Sequence, residues 1–201
     1  MTVGRHHCAG VDPDARSHLA DLLRHHDWIM SALHAVSQSG LPDAWIGAGA
    51  VRDVVWASRF GSFDPADVRD VDVAFFDPAD LSRERDLAAQ QALTGRADLP
   101  WEPTNQAAVH TWYHEYFGGP PVGAFGSVHD AVATWPETAT CVAVRLAETR
   151  SDIEVCAPHG LGDLLGGVWR RNPVRVTPAV SAARLARHRA RWPRVTIVPP
   201  G

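Results

Sequence analysis

Two aspartates two residues apart, Asp70 and Asp72, are the side chains in this 201-residue sequence whose type and spacing best suit chemistry. They open Asp70-Val71-Asp72-Val73-Ala74-Phe75-Phe76, where β-branched and aromatic residues predict a strand. Strand side chains alternate faces, so both carboxylates point the same way, with their Cα atoms roughly 6.6 Å apart. Hard divalent cations take oxygen ligands, and carboxylates so placed can share one ion or a pair of them. A solvated strand face carries the same Asp-x-Asp pattern, so the pair gains meaning from its neighbours.

The elements that must position this pair begin upstream. Ala44-Trp45-Ile46 reads as a short strand and Gly47-Ala48-Gly49 as a turn. Ala50-Val51-Arg52-Asp53-Val54-Val55-Trp56 then has the apolar spacing of a helix packed on a sheet. Glycine allows close backbone approach, and the N–H groups and positive dipole end of a helix start suit a phosphate. Gly47, Gly49 and Arg52 are therefore candidate contacts of a phosphate chain, and Asp70 and Asp72 are candidate ligands of Mg²⁺, or of Mn²⁺ in its place. Phosphate donors beside metal-binding acids are what transfer of a nucleotide from an NTP to an acceptor requires.

Gly47-Ala48-Gly49-Ala50-Val51-Arg52-Asp53 followed by Asp70-Val71-Asp72-Val73 resembles the head domain of the nucleotidyltransferase superfamily. The likeness is to the Gly-Gly-x-Val-Arg-Asp and Asp-x-Asp signature of CCA-adding enzymes and bacterial poly(A) polymerases. From about residue 41 to 175 the chain is similar to a bacterial family of nucleotidyltransferase-like proteins, through Leu41-Pro42, Trp101-Glu102, Asn105-Gln106-Ala107, His110, Trp135-Pro136-Glu137-Thr138 and the run Ala157-Pro158 to Leu164. The resemblance implies an α+β nucleotidyltransferase fold, a mixed sheet flanked by helices. It also implies a third carboxylate on a neighbouring strand, with Glu102 the first candidate and Glu154 a close second. Pro103 and Thr104 stand where the resembling family leads one to expect Val-Lys, which removes a lysine that would meet phosphate. A catalytically silent nucleotide-binding or RNA-associated module of the same fold is thus the alternative reading.

Asn105 and Gln106 follow the Glu102 strand at the expected start of a helix. Asn105 suits an N-cap, and both amides suit hydrogen bonds to a base or ribose. Around this centre the sequence predicts N-terminal helices within residues 1–40 packing on the core, a nucleotidyltransferase-like domain over 41–175, and an arginine-rich helix and tail over 176–201 belonging to the same domain. Residues 1 to 11 read as a loose terminus, and the glycine- and proline-rich run from Tyr116 to Gly126 as a lid.

Hydrophobic residues make up 45% of the chain, enough for a real core. No apolar run is long enough for a membrane span, and the N-terminus lacks a signal-peptide h-region. Cys8, Cys141 and Cys156, without Cys-x-x-Cys spacing, read as free thiols of a reducing cytoplasm. Lysine is absent, which excludes a P-loop lysine and leaves arginine to meet phosphate. Residues 1–163 hold all 23 acids, whereas 164–201 hold 8 arginines and no acid. That basic stretch can touch RNA phosphates, face solvent, or dock on the acidic body. The short chain leaves no room for the long helical body with which CCA-adding enzymes hold tRNA, so a small molecule or a protein is the expected acceptor.

Overall fold

The computed structural model describes residues 11–61, 64–117, 121–149 and 152–198. The expected loose terminus lies outside them except for Val11, as do Cys8 and residues 118–120 of the expected lid. The chain opens with α1 (Pro13–Arg24), where Pro13 takes the first helical position and Asp12 accepts the N–H of Asp14. In α2 (Asp27–Gln38) the stripe of Ile29, Leu33 and Val36 is buried, as its helical spacing requires.

Five strands form the main sheet: β1 (Trp45–Gly47), β2 (Val71–Phe75), β3 (Trp101–Asn105), β4 (Ala143–Leu146) and β5 (Ile153–Cys156), in the order β3-β2-β1-β4-β5. β2 and β3 run parallel, and the other pairs are antiparallel. A parallel pair needs a crossover, which α4 (Arg83–Thr94) supplies while packing on β3. The architecture is α+β, a mixed sheet with helices against it.

Alternation along β2 decides where the chemistry goes. Val71, Val73 and Phe75 enter the large core shared with α1, α2 and the helix after β1, α3 (Ala48–Phe60). Ala74, on the face of Asp72, joins a smaller cluster with Ala143, Cys156 and two valines, Val128 and Val132, of α6 (Val128–Val132). α3 runs one turn beyond the expected Trp56, and Trp56 Nε1 donates to the carbonyl of Leu164, 2.9 Å away in α7 (Gly162–Gly166).

Three local readings change. The helix expected from Asn105 is α5 (Val109–Phe117), because Asn105 itself ends β3. The strand expected from Thr138 begins at Ala143, after a 3₁₀ turn over Thr138–Thr140. The terminal segment β7 (Thr196–Val198) pairs in parallel with β6 (Val168–Arg170), a strand too short to read from sequence. Between them lies α8 (Pro178–Arg191), capped by Thr177. Among the described residues no helix is long and apolar enough to cross a membrane.

Candidate active site

The sheet face that carries Asp72 looks into a cavity of about 880 Å³. Asp70, just ahead of β2, and Asp72 both reach Gly49: a methyl on that glycine would lie 3.5 Å from Asp70 Oδ1 and 3.9 Å from Asp72 Oδ2. The two carboxylates therefore converge, as strand alternation predicts. Glu102 stands opposite Asp72 in the parallel register of β2 and β3, on the same face. Burial, then the charges of Asp70 and Glu102, push the Asp72 carboxyl up to about 7, against the N–H of Gly49 and the charge of Arg52. Glu102, at the rim, is also raised, by burial and by Asp70.

Glu154 does not join this group. β5 is the edge strand opposite β3, and there Arg145 takes Glu154 at 2.7 Å and Asp43 at 2.6 Å. Strand order, which is a long-range property, separates the two glutamates that the sequence left as alternatives.

The glycine bend also differs from its expected form. Gly47 is in extended backbone, and the left-handed residue is Ala48, with φ 51°. Gly47 is absent from the cavity wall, and its small size answers to packing instead: a Cβ there would meet the Trp135 ring at 2.5 Å and the Val142 carbonyl at 3.0 Å. The Ala48 N–H donates to that same carbonyl, and the Gly49 N–H serves Asp72. The first amides of α3 are thus engaged inside the protein. Arg52 lines the cavity with its Nε and Nη2 on Asp53 Oδ1, at 2.8 and 2.5 Å.

Of the two amides at the end of β3, Asn105 and Gln106, only Gln106 lines the cavity, with its Nε2 donating to the Thr104 carbonyl at 3.2 Å. Asn105 is wholly buried elsewhere. Its Oδ1 accepts the N–H groups of Asp77 and Ala107, while its Nδ2 donates to the carbonyls of Asp77 and Asp80. With every donor and acceptor used, it shapes the loop after β2 instead of facing a ligand.

One wall was not foreseen. Arg184, Arg187 and Arg191 of α8 face the cavity, with Arg175 beside them; Arg69, which the sequence places at the rim as a phosphate contact or a partner of nearby acids, lines it too. The tail read as a solvated or docked surface does dock, through Arg184 on Glu137 and Arg191 on Asp53, and in docking it closes the site. The spacing of 184, 187 and 191 marks a single helical stripe, the signal that could have shown it. Trp112, Tyr113 and Phe117 of α5 with Trp135 add aromatic rings to the lining, and Arg175 lies over the Tyr113 ring at 3.7 Å.

A family model described as nucleotidyltransferase matches residues 34–197. A structure solved by NMR and described as revealing a CCA-adding enzyme head domain is similar with a TM-score of 0.75 and 28% identity, over 92% of this chain and 96% of that one. No curated protein matches the sequence. The convergent aspartates on a mixed sheet, the extent of the family match and the shared fold lead to one assignment: the chain belongs to the nucleotidyltransferase family.

Proposed function

We propose that this protein moves a nucleoside monophosphate from an NTP to an acceptor hydroxyl, with release of pyrophosphate. The observation that carries the reading is the convergence of Asp70 and Asp72 beside Gly49, with Glu102 in register next to them. These three carboxylates are the residues that would hold Mg²⁺, or Mn²⁺ in its place. Burial first, and then repulsion from Asp70 and Glu102, raises Asp72 to about 7, and a divalent cation would relieve the repulsive part. Among the described residues no three such side chains form a ready-made metal cage. Mg²⁺ is typically held by one or two carboxylates plus substrate phosphates and water. When bound, the ion offsets charge on the reacting phosphoryl group.

The remaining roles fall to the chain's own groups. Arg52, Arg69 and Arg187 offer donors to the phosphate tail, where Thr104 provides no lysine. Trp112, Tyr113 and Trp135 give the base a flat surface and exclude water, and the Gln106 amide is placed to bond base or ribose. The acceptor oxygen bonds to the α-phosphorus as the bond to pyrophosphate breaks. Its proton passes to Glu102, the most exposed of the three acids. Because α8 commits Arg184 and Arg191 to internal carboxylates, the acceptor is a small molecule or a protein side chain in preference to RNA.

Thr104 on the cavity wall favours a second reading, a nucleotide-binding module without turnover. Incubating the protein with α-labelled NTPs and a cell lysate separates the two. Transfer of label that is lost in Asp70→Asn and Asp72→Asn supports the enzyme, whereas calorimetric NTP binding with no labelled product in any lysate supports the silent module.

A further inference from the structure

Arg184 is anchored and yet not used up. Its Nε donates to Glu137 Oε1 at 2.5 Å and its Nη2 to Oε2 at 2.9 Å, so the guanidinium is gripped along one edge. Glu137 is itself buried, and it is held from other sides by Thr140 Oγ1 at 3.2 Å and His188 Nε2 at 3.7 Å, which fixes the plane of the arginine. The third nitrogen, Nη1, takes no acceptor among the described residues. Nor is it one of the shut-in nitrogens of the cavity's arginines, which belong to Arg175 and Arg191. Arg184 lines the cavity, and the charge of Asp72 acts on it after that of Glu137. It therefore offers a pair of N–H groups, fixed in direction, within electrostatic reach of the acid that stands beside the reacting phosphate.

We propose that Arg184 meets the nucleotide's α-phosphoryl group: Nη1 donates to a non-bridging oxygen there, and Glu137 is the residue that positions it. This rests on the transfer reading above and supplies a donor for the group under transfer, where Arg52, Arg69 and Arg187 meet the tail. The acceptor oxygen bonds to the α-phosphorus as the bond to pyrophosphate breaks. Through that change negative charge sits on the equatorial oxygens of the group, and a donor already in place needs no rearrangement to meet it. Glu137 offsets the net charge of Arg184, so the arginine acts by direction more than by attraction. Its loss belongs in kcat more than in KM.

Phosphorus NMR of an α,β-methylene NTP analogue bound to the full chain with Mg²⁺ reads each phosphate separately. Binding to wild type should shift the α resonance. In Arg184→Lys, whose ammonium cannot span Glu137 and phosphate as a guanidinium does, that shift should fall by about half or more, while the β and γ shifts persist and affinity stays within about threefold. Transfer of label from α-labelled NTP to a lysate acceptor should slow about 100-fold, with KM within about threefold. A merely structural arginine would disturb all the resonances together or none. An α resonance that shifts as in wild type, or a loss confined to β and γ, overturns the proposal. If Arg184→Lys does not fold by circular dichroism, Arg184→Met with Glu137→Gln removes both charges of the buried pair at once and is read in the same way. An α shift that depends on Arg184, with no labelled product in any lysate, keeps the contact and removes the transfer reading. Label transfer by wild type with an α shift that ignores Arg184 does the reverse, and an analogue that fails to bind wild type removes both.

Discussion

Arg184 holds the buried carboxylate of Glu137 with both prongs of its guanidinium, Nε to Oε1 at 2.5 Å and Nη2 to Oε2 at 2.9 Å, and so fastens α8 to the segment that leads into β4. His188 Nε2 lies 3.7 Å from the same carboxylate. Burial opposes the negative charge, yet His188 and Arg184 together hold Glu137 down from 4.5 to about 2. A folded value below the unfolded one means stability that is complete above the unfolded pKa and is lost as pH falls toward the folded one. Glu137→Gln should therefore cost about 3 kcal/mol at neutral pH and flatten the loss of stability on acidification. Circular dichroism melts across pH check this, and an unchanged acid limb in the variant would place its source elsewhere.

Asp72 carries the opposite sign. Its folded value, about 7, lies above the ordinary 3.8 because burial, Asp70 and Glu102 disfavour its charge. Without metal, this group's contribution weakens as pH rises from the unfolded value through the folded one. Asp72→Asn should remove the repulsion and raise the melting temperature at pH near 8 by about 2–4 °C, while abolishing stabilisation by Mg²⁺. Wild type should bind Mg²⁺ more weakly below neutral pH, with release of a proton on binding. A variant that melts lower than wild type at alkaline pH would refute the repulsion.

The two glycines of the bend predict different losses. Gly47→Ala puts a methyl 2.5 Å from the Trp135 ring and should destabilise by about 1–3 kcal/mol. Gly49→Ala meets only ordinary contacts, the nearest at 3.5 Å, so its melting temperature should hold. Its methyl nevertheless stands between Asp70 and Asp72, and turnover should drop about tenfold or more. Melting curves beside label-transfer rates separate the pair, and Gly49→Ala with full activity would remove the bend from the site.

How far the sequence reaches depends on the range of the interaction. Asp70 and Asp72 were legible because alternation along one strand fixes their shared face, whereas Glu102 led Glu154 only narrowly until strand order put β5 at the far edge. The glycine bend was legible as a bend, but its reason was not. Gly47 is small for Trp135, a residue on a distant segment, and the left-handed position falls on Ala48. The α8 arginines form a stripe that any helical projection displays. Its direction follows from Glu137, whose place in the core no local pattern announces.

Asn105 gives the clearest separation of a structural from a binding role. Its Oδ1 accepts from Asp77 at 2.9 Å and Ala107 at 3.1 Å, and its Nδ2 donates to the carbonyls of Asp77 and Asp80 at 2.8 Å each. Asn105→Ala abandons all four partners in a dry setting and should cost about 3 kcal/mol or more. Asn105→Asp keeps the acceptors but turns an oxygen toward two carbonyls. It should be at least as damaging at neutral pH and recover in part at acid pH, where a protonated carboxyl can donate again. Whatever folded Asn105→Ala remains should bind NTP with a KM within about twofold of wild type, since this amide does not line the cavity. A raised KM with an unchanged melting temperature would return Asn105 to the nucleotide.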